Sequence, residues 1–304
     1  MPRRIIVGTR GSQLALWQAN RVADTLRSAH AELEVELRIV KTEGDQKADT
    51  PFRQFAGRGV FVRELEAALV RRDVDLAVHS AKDVPTETAP GLALVAALPR
   101  HDPRDALVGR ALAAISRGAK IGTGSPRRRA ALARRRPDLE FVDLRGNLDT
   151  RLRKLDEGRF EAAVLACAGL ERLGMGARIA ERLAPEICLP APGQGIVVVE
   201  TRADDDEARR LLAAVSDATS LVCLWAERAL LEGLGGGCQV PIGALARIED
   251  GTMRLIAGVS RPDGKRFVDG EVSGDPARGA ELGRELAGRL IAGGAEEILA
   301  EGGS

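Results

Sequence analysis

Arg4-Ile-Ile-Val-Gly-Thr-Arg-Gly-Ser12, together with the segment running from it to Ile39, decides how the chain folds. Arg4–Gly8 reads as a buried strand, a short apolar run closed by glycine. Thr9–Ser12 is the loop behind it, and Ser12 is placed to cap a helix whose apolar face is Ala15, Ala19, Val22 and Leu26. Leu33, Val35, Leu37 and Ile39 then alternate with polar residues, the period of a strand. Strand, helix and strand in that order predict an α/β layer.

Outward from this stretch the same grammar returns. Phe61–Arg72 is expected to be a helix and Val74–His79 a strand that ends in Ser80-Ala-Lys-Asp-Val-Pro85, with a further strand at Leu92–Leu98. Pro99–Pro103 is a Pro-bounded crossing, read as a hinge. Beyond it, Lys120-Ile-Gly-Thr-Gly-Ser-Pro-Arg-Arg-Arg129 is a glycine-rich strand exit into a helix, with Ser125 at N-cap and Pro126 at N1. Such a helix start offers free N–H groups to an anion, and Arg127 and Arg128 add charge there, whereas Arg134–Arg136 read as a solvated basic face. Glu140–Leu144 and Ala162–Cys167 are strands, Asn147 is a candidate cap, and Pro190–Gly195 is a second crossing. Ile196–Glu200 is a strand that can return to the first sheet, and Asp204 with Glu207 resembles a capping box. Four strand ends thus lead to arginines near helix starts: Arg10; Arg127 with Arg128; Arg145 with Arg151; and Arg172. Ligands of open α/β sheets bind beyond the carboxyl ends of strands, so these arginines are expected to converge on one cleft.

Composition narrows the ligand. The 304 residues suggest two domains, or three small ones, and 44% hydrophobic content supports packed cores. No run is long and apolar enough to span a bilayer, and the first residues carry no secretion signal. The four cysteines (Cys167, Cys188, Cys223, Cys238) form no CxxC pair and only three histidines occur, so neither a metal site nor a disulfide framework is expected, and a reducing cytoplasm fits. With net charge +1, aromatics at 3% and no Tyr, base stacking and hence nucleic acid are disfavoured. Arginine without aromatics points to carboxylate or phosphate ligands.

Two further stretches carry chemistry. Lys41–Gly59 has no period and reads as a lid, with Arg58 able to close on an anion. Leu234-Gly-Gly-Gly-Cys-Gln-Val-Pro-Ile-Gly243 presents one thiol behind three glycines; taken alone, Cys238 is a small buried residue beside a turn. It stands in a C-terminal α+β module: a helix through Val222, Trp225, Ala226 and Ala229, extended runs at Val240–Ile248, Met253–Val259 and Phe267–Val272, and a last helix capped by Asp275. Asp83 is the carboxylate at a strand end in an otherwise basic setting, suited to a developing cation or to pyrrole-type N–H groups. Its alternative is an ion pair with Lys82. His79 reads as a satisfied core histidine rather than a base.

The segments Thr9–Ala19, Gly59–Glu66, His79–Pro85, Gly122–Arg128, Leu144–Arg151, Pro192–Gly195 and Gly236–Gly243 closely resemble, in order over nearly the whole chain, the porphobilinogen deaminase (hydroxymethylbilane synthase) family. The resemblance implies an α/β protein of two periplasmic-binding-protein-like lobes with mixed sheets, at 1–98 with 196–216 and at 99–195, plus a smaller C-terminal α+β domain at 217–304. It implies a dipyrromethane cofactor joined by a thioether to Cys238, extended by four porphobilinogen units with loss of ammonia. Nothing in the sequence demands more than a monomer, and no metal is expected. Asp83 carries over as the catalytic carboxylate. Ser80, Lys82, Asp83, Thr123, Ser125, Arg127, Arg128, Arg145 and Gly146 match cofactor-binding positions. Arg10, Ser12, Phe61, Arg145, Arg151, Arg172 and Gln194 match positions that bind substrate. The chain departs from common family residues at Gly11, Gln54, Ala81 and Pro126. Competing readings are a two-lobed binder of anionic metabolites, which explains neither Cys238 nor a third domain, and a transferase in which the thiol turns over.

Overall fold

The computed structural model describes residues 3–42, 59, 61–236 and 241–302. These residues fall into two compact units, one from 1–100 and 196–221 and one from 101–195 and 222–304. Cys238 and most of the expected lid (43–58) lie outside the described residues.

The first unit is built on the opening stretch. Strand β1 (Arg3–Thr9) leads into helix α1 (Gln13–Ala29), then β2 (Leu33–Ile39), α2 (Arg63–Val70), β3 (Leu76–Ser80) and β4 (Leu92–Ala97). The return strand β10 (Val197–Arg202) enters between β3 and β4, so the sheet runs β2-β1-β3-β10-β4 with β10 antiparallel to both neighbours. Ser12 caps α1 as expected, its Oγ accepting from Ala15 N at 3.3 Å. One face of the sheet packs Ile5, Val7, Leu76, Val78, Val197 and Val199 against Ala19, Val22 and Leu26 of α1. The other packs Ala77 and Leu92 under Leu65, Ala68 and Leu69 of α2. Two details differ from the sequence reading. Ile39, expected on the strand's apolar face, is 57% exposed because β2 is the edge strand. The helix after β10 is capped by Asp205 rather than Asp204: Asp205 accepts from Ala208 N at 2.9 Å and also holds Arg202.

The second unit contains a five-stranded sheet of the same plan: β5 (Asp105–Val108), β6 (Lys120–Gly122), β7 (Glu140–Val142), β8 (Ala162–Ala166) and β9 (Ile179–Leu183), ordered β7-β6-β8-β5-β9. Helices α3 (Pro126–Arg135), α4 (Leu148–Asp156) and α5 (Cys167–Arg172) follow β6, β7 and β8. In both sheets the antiparallel strand is the one that follows a Pro-rich crossing, which accounts for the repeated grammar of the sequence. Ser125 caps α3 with Pro126 in its first turn, as expected. Asn147 stands at the N-cap of α4, but its side chain makes no capping bond. Arg136 is no solvated charge: it grips Asp138 at 2.8 Å and the carbonyls of Leu112 and Ile115, while Arg134 stacks 4.1 Å from the Phe267 ring centroid.

The same unit carries a C-terminal antiparallel sheet, β11 (Ile242–Glu249), β12 (Thr252–Ser260) and β13 (Phe267–Gly274). Helix α6 (Asp206–Ala213) follows β10, and α7 (Ala218–Gly233) delivers the chain to this sheet. Helices α8 (Gly279–Ala292) and α9 (Ala295–Gly302) close the chain. Leu230, Leu255, Met253 and Leu286 share one core. Asp275 caps a 3-10 turn that precedes α8, and α9 was not anticipated. None of the described helices is long and apolar enough to cross a membrane.

Candidate active site

β1 and β3 are parallel neighbours, so the loops after them leave the same edge of the first sheet. That edge carries Arg10, Ser12, Ser80, Lys82 and Asp83. Ser80 ends β3, and Ala81–Asp83 form one 3-10 turn in which Ala81 is buried and Lys82 and Asp83 are partly exposed. The turn is tied down at Ala81, whose N–H donates to Ile196 O at 3.0 Å. Gln18 of α1 donates to Ser80 Oγ at 2.8 Å, a contact between residues 62 apart that no local pattern marks. Arg10 lies over the Phe61 ring at 4.0 Å from its centroid, which pairs two expected substrate residues through a cation–π contact. His79 is buried beneath the turn and meets the buried Glu200 at 3.1 Å, the satisfied core histidine that was expected.

The second sheet brings the exits of β6, β7 and β8 to one edge in the same way. Thr123 is buried, and its Oγ1 accepts from Ser125 N at 3.2 Å. Arg127 and Arg128 are buried too, and their common partner is Asp105, a residue absent from the sequence reading. The Asp105 carboxylate accepts from Arg127 Nη1 at 2.7 Å, Arg128 Nε at 3.0 Å and Arg128 Nη2 at 2.7 Å. It also accepts from Gln194 Nε2 at 2.9 Å and the Cys188 thiol at 3.3 Å. Burial alone would favour its neutral form, but the Arg127 and Arg128 guanidiniums outweigh burial and hold the carboxyl well below the usual range. Asp105 stands here because β5 runs antiparallel: its first residue pairs with Ala166, the last of β8.

Around this group, Arg145 is held by Asp143 at 2.8 Å, and Arg151 Nε donates to Gly146 O at 2.7 Å. Gly146 has φ +104°, and a Cβ on it would fall 2.7 Å from Thr150 Cγ2. Arg172 is buried, donates to Gly195 O at 2.7 Å, and is pulled down by burial to a pKa of about 10, which leaves it cationic at neutral pH. Buried Glu227 accepts from Gly193 N at 2.6 Å and Ala246 N at 2.7 Å, fastening the second crossing to the C-terminal sheet. A cavity of about 510 Å³ between α3 and the C-terminal sheet is lined by Arg127, Arg134, Leu189, Pro241, Gly243 and Phe267, among others. Arg127 apart, its lining holds none of the expected ligand residues, so it is not where those groups gather.

The donor set suits a group bearing several carboxylates: paired guanidiniums, two hydroxyls and the start of a helix. Among the described residues no cluster of His, Cys, Asp and Glu could hold a metal ion.

The sequence matches "Porphobilinogen deaminase, dipyromethane cofactor binding domain" over residues 5–210 and "Porphobilinogen deaminase, C-terminal domain" over residues 221–292. A porphobilinogen deaminase of Pelobacter propionicus is 46% identical over 302 residues, covering 99% of this chain and 97% of that protein. Among solved structures, the methionine-binding protein MetQ aligns over 73% of this chain and 93% of its own at 15% identity, with a TM-score of 0.45. The VFT2 domain of Bordetella pertussis BvgS aligns over 70% and 85% at 17% identity, with a TM-score of 0.41. On two consecutive domain matches and a full-length relative, the chain belongs to the porphobilinogen deaminase family.

Proposed function

We propose that the protein is a hydroxymethylbilane synthase, a transferase that condenses four porphobilinogen molecules head to tail and releases the linear tetrapyrrole. The observation that carries the reading is the gathering of Thr123, Ser125, Arg127 and Arg128 at one sheet edge, in a chain whose matched domain is a dipyrromethane cofactor-binding domain. A dipyrromethane on Cys238 would supply the α-carbon to which the first porphobilinogen is joined. Ser80, Lys82, Thr123, Ser125, Arg127, Arg128, Arg145 and Gly146 would hold its acetates and propionates. Arg10, Ser12, Phe61, Arg151, Arg172 and Gln194 bind the incoming pyrroles, whose two carboxylates match a guanidinium in bidentate fashion.

Asp83 is the catalytic carboxylate. In each addition the substrate's C–N bond breaks and ammonia leaves, so positive charge develops on the pyrrole ring. A carboxylate that accepts the ring N–H lowers the energy of that cation. The new C–C bond would replace the broken C–N bond, and the proton displaced from the α-carbon would leave with the ammonia as ammonium. Lys82, its neighbour on the 3-10 turn, would hold a carboxylate. We further place the protein in the cytoplasm as a monomer of three domains (1–98 with 196–216, 99–195, 217–304). Sparse cysteine, four in the chain with no CxxC pair, supports that compartment.

Asp83→Asn tests the mechanism. The variant should keep its bound cofactor by intact mass and lose turnover by roughly a hundredfold or more. A near-normal rate would refute the role.

A further inference from the structure

We propose that Asp105 is a positioning residue, which holds Arg127 and Arg128 in the orientation that receives the cofactor's carboxylates. This rests on the functional reading above. Asp105 is fully buried, and one carboxylate organises two guanidiniums and, through Gln194, the second crossing. Each arginine is held at a second point as well: Arg127 Nη1 reaches Leu189 O, and Arg128 Nη1 donates to Val164 O at 3.0 Å. Gln194 is fixed in turn by Pro103 O at 2.7 Å. The donors are therefore ordered by the protein itself. Groups ordered in advance need not be immobilised when the ligand arrives, which is where affinity and rate are gained.

An ordinary charge-balancing role makes the opposite prediction. Asp105 cancels one of two positive charges, so removing it leaves more cation beside the site and should draw an anionic pyrrole more strongly. Positioning predicts that uptake slows despite the added charge. The sign of the effect decides.

The experiment uses the full-length apo-protein supplied with porphobilinogen, following the adduct on Cys238 by intact mass. Asp105→Asn should load roughly tenfold more slowly or worse than wild type, while its Cys238 thiol reacts with a maleimide at the wild-type rate. Equal or faster loading overturns the proposal. Two uncompensated buried guanidiniums can unfold that variant, so Arg128→Met is also compared with Arg128→Met/Asp105→Asn, whose cluster has the same net charge as wild type. The double variant should load more slowly than the single one, and equal or faster loading again overturns the proposal. Phenylglyoxal labelling without porphobilinogen separates this from the functional reading. Arg127 should resist labelling in Arg128→Met and react in the double variant; equal reactivity overturns the positioning role. If that difference holds but wild type gains no adduct at Cys238, the functional reading fails, and with it the cofactor as the ligand, while Asp105 still orders the two arginines.

Discussion

Asp105 stays ionised in a fully buried position, because the guanidiniums of Arg127 and Arg128 outweigh the burial that opposes its charge. Its folded pKa lies below the unfolded value of about 4. Its stabilising contribution is therefore complete above that value and is lost as the pH falls towards the folded pKa. Urea unfolding should show lower stability near pH 3 than at pH 7, with a weaker acid dependence in Asp105→Asn; an unchanged dependence would contradict the assignment. That variant should also lose roughly 3–5 kcal/mol at neutral pH, the usual effect of breaking a buried pair from one side. Gly146→Ala should cost about 1–3 kcal/mol, since alanine must adopt φ +104° against Thr150; a loss under about 0.5 kcal/mol in urea unfolding would show that the loop relaxes. At this scale the sequence was readable where chemistry and local turn coincide, as at Ser125, Arg127 and Arg128. Asp105 was not, because its partners lie 22 and 23 residues away and meet it through an antiparallel pairing that no local pattern records.

Helices α1 and α3 were legible with their caps, because Ser12 and Ser125 precede clear apolar periods. Helix α9 was not: its buried apolar positions are few, Ala295 and Ile298. The cap of α6 was misplaced by one residue, since Asp204 and Asp205 are alike in sequence and differ only in the contact with Ala208. The crossing of α7 and α8 depends on a glycine whose reason appears only in packing. A Cβ on Gly283 would lie 2.3 Å from Ala226 O and 2.9 Å from Leu230 N, and backbone atoms cannot step aside cheaply. Gly283→Ala should therefore destabilise the protein by about 1–3 kcal/mol, although alanine is the better helix former. A gain in thermal stability would mean that the helices do not meet as closely as described.

Across the molecule, both five-stranded sheets share one order, with the strand after a crossing inserted antiparallel as the fourth member. Alternating strands and helices made the α/β class readable, and two of the places where the chain changes unit fall at or beside the proline-rich crossings. The return of this strand to the first sheet was legible, but its place between β3 and β4 was not, because β10 pairs with β3 across more than a hundred residues: Val197 lies opposite Ser80. The buried thiols Cys167 and Cys188 are both pushed up to about 12, first of all by burial, so they stay protonated and inert at neutral pH. Cys223 is buried as well, so the three described thiols compete little with the anchoring role proposed for Cys238. The most direct measurement is the intact mass of the purified protein during incubation with porphobilinogen, with the modified peptide mapped afterwards. The predicted result is a series of adducts that grows one pyrrole at a time, every one of them on the peptide containing Cys238. Turnover of porphobilinogen by protein whose Cys238 remains unmodified would contradict the account.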